Sequence, residues 1–87
     1  MNTMMPDPQR LKEILERISV KGASGGGEVQ MVLLGTGLIK KINIDDALLR
    51  PSEKALLESM IIAAYVDANA QLQEELVKTL GQLKLGE

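Results

Sequence analysis

The feature that most constrains this chain is a stretch after Pro51 that no Gly or Pro interrupts until Gly81. Pro51 suits the first position of a helix, and Glu53 places a negative charge where the helix dipole favours it. The stretch predicts one helix of about 30 residues, which at the α-helical rise spans roughly 45 Å. A compact domain of 87 residues has a radius of gyration of only about 12 Å. The helix must therefore reach beyond the body of its own protomer. Its first half is apolar nearly all round, through Leu56, Leu57, Met60, Ile61, Ile62 and Tyr65–Val66. Such a helix is buried on two sides. One side can lie on the rest of the protomer, and a second copy related by two-fold symmetry is the simplest supply of the other. Along the helix Ile61, Tyr65, Ala68, Leu72, Leu76, Thr79 and Leu83 form a stripe with an eleven-residue rhythm, which predicts a nearly straight or slightly right-handed pairing.

The segment before the long helix reads differently. Residues 1–6 are expected to be a disordered leader. Asp7 can cap a helix and Pro8 fits its first turn, and Leu11, Ile14, Leu15 and Ile18 recur at helical spacing. A short amphipathic helix over 8–18 follows. From Ser19 to Ile44 the chain is rich in Val, Ile and Leu and is broken by Gly25–Gly27 and by Gly35-Thr36-Gly37. This predicts three antiparallel strands at 19–24, 28–35 and 38–44, joined by hairpins. In the second strand Val29, Met31 and Leu33 share one face, and Gln30, Val32 and Leu34 share the other. In the third, simple alternation sets Ile42 and Ile44 on one face and Ile39 on the other, and sends the adjacent Lys40 and Lys41 to opposite faces. Asp45 to Leu49 is a connector with about one turn of helix. The fold class is thus α+β in the order α-β-β-β-α, one domain over residues 1–87, assembled as a homodimer.

Composition removes most chemistry. There is no Cys and no His, hence no disulfide, no thiolate metal site and no histidine general base. Ser24 and Ser52 have no activating partner of that kind. Asp45-Asp46 lacks a neighbouring third ligand or base, so turn capping is the better reading than a Mg²⁺ or acid–base site. Gly22–Gly27 precedes a strand and carries Glu28 where a phosphate loop would want a cation, so it reads as a hairpin turn. An enzyme is not expected, nor a catalytic residue, a metal or a cofactor. No apolar run approaches membrane-spanning length, and the start shows no basic segment followed by an apolar core. A cytoplasmic protein without a membrane or small-molecule partner is expected.

Three segments carry a resemblance: SVKGASGGGEVQMVLLG, KKINIDDALL and EKALLESMIIAAYVDA. Val20–Gly22 with Ser24–Gly27, Ile42–Ile44–Asp45–Leu48–Leu49, and Ala63–Ala64 with Asp67–Ala68 follow one another in the order found in the YbaB/EbfC family of bacterial nucleoid-associated DNA-binding proteins. The chain resembles that family over about residues 11–80. The resemblance implies an α-β-β-β-α protomer, an intertwined homodimer with projecting helices, and a place in the nucleoid, coating or bridging duplex DNA with little or mild sequence preference. Its first helix, cut short by Pro6 and Pro8, departs from the longer helix usual in the family.

Charge locates the candidate contacts. The net charge is −2. Residues 1–24 carry Arg10, Lys12, Arg17 and Lys21 against three acids, whereas residues 51–87 carry Lys54, Lys78 and Lys84 against six. The candidate DNA-binding residues are Arg10, Lys12 and Arg17 on the first helix and Lys78 and Lys84 on the last, doubled by dimer symmetry. Clustered cations suffice for phosphate contact. A lone Tyr65 and no recognition-helix motif offer little for base stacking or base readout. The alternative is a dimeric protein-interaction adaptor without productive DNA binding, favoured by the acidic balance and the short first helix.

Overall fold

The computed structural model describes the backbone of residues 7–85 and the side chains of residues 7–82; the expected leader at 1–6 lies outside them. Helix α1 spans Pro8–Arg17, strands β1, β2 and β3 span Ser19–Ser24, Val29–Leu34 and Ile39–Ile44, and helix α2 spans Lys54–Leu85. Two 3-10 turns, Asp46–Leu48 and Pro51–Glu53, link β3 to α2. The Asp7 side chain accepts the Gln9 N–H at 3.1 Å and caps α1. At the other end Ile18 turns extended, which stops the helix and opens β1. Asp45 repeats the capping device by accepting Ala47 N–H at 2.8 Å, so the acidic pair serves the turn. Pro51 begins a 3-10 turn rather than α2 itself.

The sheet order is β1-β2-β3, antiparallel throughout. Gly25 and Gly27 take φ of 61° and 93° in the first hairpin, where a side chain would be strained. One sheet face packs on α2. Val29, Met31 and Leu33 are fully buried there, with Leu48, Met60, Ala64, Ala68 and Leu72. The inward line of α2 passes through Ala64, not Tyr65, which is exposed. The reason is backbone-to-backbone contact. A Cβ on Gly22 would lie 2.4 Å from the Ala68 nitrogen and 2.5 Å from the Ala64 oxygen. Only a glycine on the strand and alanines on the helix permit that approach. Two polar contacts flank the seam: Ser24 Oγ donates to the Met60 carbonyl at 2.7 Å, and Asp67 accepts Ala23 N–H at 2.9 Å.

The seam places α2 over β1 and β2 and leaves β3 uncovered except at Ile44, which packs against the core. The radius of gyration is 16.7 Å and the extents are 60 × 19 × 15 Å, so α2 projects well past the sheet as its length predicted.

Strand β3 departs from simple alternation. A bulge between Val32 and Leu33 sets Lys41 opposite Val32 and Ile39 opposite Leu33, with Lys40 as the extra residue. Ile39 therefore shares the inner face with Ile42 and Ile44, and Lys40 joins Lys41 on the outer one. Both readings from strict alternation are corrected by this one residue.

Gly22→Ala should lower unfolding free energy by about 2–3 kcal/mol, the scale of overpacking against a backbone that cannot yield. Gly26→Ala, which meets nothing within 4 Å, should stay within about 0.5 kcal/mol. Urea unfolding followed by circular dichroism measures both, and equal midpoints would refute the seam.

Candidate nucleic-acid interface

Among the described residues, Arg50 and Lys54 lie around the start of α2 and the other cations form three groups. The first is on α1, where Arg10, Lys12 and Arg17 are all exposed. Arg10 and Arg17 are seven residues apart, two helical turns, and so lie on one side of the helix. They border a shallow surface depression with Asp7, Gln9, Glu13 and Ile14. Lys12 lies on the far side of the apolar stripe, some 200° round the helix from Arg10 at about 100° per residue. The short helix thus presents cations on both flanks, with Glu13 and Glu16 among them. Its half-buried residues Leu11, Ile14, Leu15 and Ile18 form the stripe between. The C-terminal end of α1 is fixed to the sheet: Gly35 N–H donates to the Ile18 carbonyl at 3.0 Å, and a Cβ on Gly35 would lie 2.4 Å from the Leu15 carbonyl oxygen.

The second group is on α2. Lys78 is exposed, with Glu74 and Glu75 one turn before it on the same helix. Lys84 lies in the last described turn of α2, and its side chain is outside the described residues. The structure therefore gathers Arg10 and Arg17 on one side of one helix, keeps Lys12 apart from them, and sets Lys78 in an acidic neighbourhood.

The third group lies on the outer face of the sheet. Lys21 pairs with Val32 from one side and Lys41 from the other, with Lys40 beside it through the bulge. All three lysines are exposed. Strict alternation separated Lys40 from Lys41 and so hid this group. The spacing of Ile39, Ile42 and Ile44 was the available signal. Three isoleucines on one face of a strand with a step of three and then two require an extra residue between the first pair.

Among the described residues no group of three or more His, Cys, Asp or Glu is placed to hold a metal ion, and no helix is long and apolar enough to cross a membrane.

The model of the YbaB/EbfC DNA-binding family matches residues 1–87. Among similar proteins, a nucleoid-associated protein of Phenylobacterium zucineum is 33% identical over 82 residues, covering 86% of this chain and 77% of its own length. One from Beijerinckia indica is 34% identical over 86 residues, covering 94% and 85%. One from Xylella fastidiosa is 35% identical over 83 residues, covering 95% and 76%. The fold matches the crystal structure of an uncharacterized Helicobacter pylori protein with a TM-score of 0.69 at 24% identity, over 86% of this chain and 87% of that one.

Arg10→Ala, Lys12→Ala and Arg17→Ala each remove an exposed side chain, so each should change unfolding free energy by less than about 0.5 kcal/mol. Thermal unfolding of the three variants checks this, and a loss above about 2 kcal/mol would show that α1 depends on that side chain.

Proposed function

Since the chain belongs to the YbaB/EbfC DNA-binding family, we propose that it is a nucleoid protein which binds duplex DNA as a homodimer, mainly through phosphate contacts with little or mild sequence preference. The family match over the whole chain is the observation that carries this reading. The protein acts by binding and not by catalysis, in the bacterial cytoplasm at the nucleoid. Arg10, Lys12, Arg17, Lys78 and Lys84 supply the contacts from the projecting helices, two sets per dimer. Phosphate oxygens need only exposed cations at suitable spacing, and any preference among sequences comes from duplex shape.

The uncovered inner face of β3 supports the dimer. Asp67 reaches the outer edge of β1, so the opposite flank of α2 faces β3. By helical geometry that flank carries Ile61, Ile62 and Tyr65, with Val66 next to them. Ile39 and Ile42 on β3 are 46% and 43% exposed, and Ile62, Tyr65 and Val66 on α2 are 65%, 41% and 60% exposed. These five amount to on the order of 500 Å² of apolar surface, a large part of the roughly 800 Å² that each partner buries in a standard interface. A partner's long helix laid beside α2 would cover it. The intrinsic core is small, with eight buried hydrophobic side chains among the described residues, two of them alanines, so a protomer gains much by this burial. The adaptor reading needs the same apolar face for another protein. A homodimer occupies it and leaves the cations free.

Duplex binding followed by fluorescence anisotropy should weaken on the order of 10³-fold between about 50 and 200 mM salt; no binding at the lower salt would overturn the DNA reading. Light scattering at micromolar concentration should give twice the chain mass, and Ile62→Asp should give one chain mass while remaining helical. A wild-type chain that stays monomeric would overturn the dimer.

A further inference from the structure

We infer that the outer face of the sheet is a second phosphate-contact surface for duplex DNA, made by Lys21, Lys40 and Lys41. This rests on the DNA-binding reading above and adds a surface that the helices do not include.

The bulge creates the cluster. Lys21 and Lys41 flank Val32 across two strand spacings, about 10 Å apart at their backbones, and Lys40, the extra residue of the bulge, adds a third cation next to Lys41. The cations of α1 and Lys78 of α2 have carboxylates among them, Glu13 and Glu16 on the one helix and Glu74 and Glu75 on the other. Here the remaining residues of the face are Ser19, Ala23, Gln30, Val32, Leu34 and Asn43, none of them acidic. The nearest acids along the strands are Glu28 and Asp45, joined by an Asp45 N–H bond to the Glu28 carbonyl at 2.8 Å. They stand four residues from Val32, about 13 Å at the strand rise, which exceeds the Debye length of about 8 Å at physiological salt. The Asp45 carboxylate is also turned onto Ala47 N–H, and that of Glu28 lies beside Gly25. One further carboxylate, that of Asp67, stands at the β1 edge of the face, where it accepts Ala23 N–H at 2.9 Å; three lysines against that single edge carboxylate leave the face locally basic although the chain is acidic.

Its surroundings leave it open. Helix α2 covers the opposite face, and the apolar surface assigned to the dimer is on that opposite face too. A shallow concavity there is lined by Lys21, Gln30, Met31, Val32, Lys41 and Asn43. The exposed Asn43 amide adds a neutral donor of the kind that phosphate oxygens accept. No aromatic residue lies on the face, since Tyr65 is on α2. Base stacking is thereby excluded, and the surface fits the backbone of a duplex rather than the bases of a single strand.

The test compares three full-length proteins on two duplexes of unrelated sequence: wild type, the triple variant Lys21→Ala/Lys40→Ala/Lys41→Ala, and the charge-preserving triple variant Lys21→Arg/Lys40→Arg/Lys41→Arg. Circular dichroism first confirms that all three are folded. The slope of log affinity against log salt should become shallower by about 2–3 per protomer engaged in the alanine variant. The loss should be equal on both duplexes, and the arginine variant should retain the wild-type slope. An alanine variant with the wild-type slope overturns this surface while leaving the DNA-binding reading intact. Loss of binding in the arginine variant as well would mean that charge is not the cause, and overturns it too. A wild-type protein that binds neither duplex at about 50 mM salt overturns both readings together.

Discussion

The contact on which the rest depends is the glycine–alanine seam between β1 and α2. Gly22 meets the backbone of α2 at Ala64 and Ala68 with no room for a β-carbon. Such close approach fixes the helix laterally far more tightly than interdigitating leucines would. It also decides which strands the helix covers. Seated over β1, with Ala23 bonded to Asp67 and Ser24 to Met60, α2 leaves most of β3 uncovered. The exposed isoleucines of β3 follow from that seat, and so does the apolar flank beside them. A larger residue at 64 or 68 would push the helix outward and weaken the packing of Met31 and Leu33 beneath it.

The order of elements was legible because each carries its own punctuation. Asp7-Pro8 opens α1, glycines mark both hairpins, and Pro51 announces the last helix. The inner face of β2 was legible too, since Val29, Met31 and Leu33 obey the two-residue period. Two features were not read. The eleven-residue rhythm of α2 runs through Tyr65 and does not say which side lies on the sheet, whereas a backbone contact selects the smaller Ala64 for that side. The bulge in β3 was missed because strict alternation was carried through a strand whose isoleucine spacing breaks it. Both omissions have one physical origin. Periodicity shows which face a residue occupies, but the closeness of approach and the insertion of one residue are set by tertiary partners. The positions of the candidate cations along the chain were legible as well, while their grouping across strands required the register.

Net charge is a poor guide to this surface. The chain is acidic overall, yet its carboxylates sit mainly along the helices and in the connector after β3. The sheet between them exposes lysines alone among charged side chains on its outer face. Folding separates charge that the sequence mixes, and screening at cellular salt keeps the separated regions electrically distinct. Two faces of one sheet thus acquire opposite characters: the inner apolar and covered in part by α2, the outer polar and open.

The same two details that shape these faces also finish the sheet at its edges. An open three-stranded sheet offers two rows of free N–H and C=O groups on which further strands can grow. On the β1 side, Asp67 takes the outward N–H of Ala23. On the β3 side, the bulge at Lys40 breaks the regular spacing that an incoming strand would need, and charged side chains line the break. Both devices work against extension of the sheet from strand to strand and leave faces and helices as the surfaces through which copies of the chain meet. A protein crowded at high local concentration along a polymer is the case in which such blunted edges matter most.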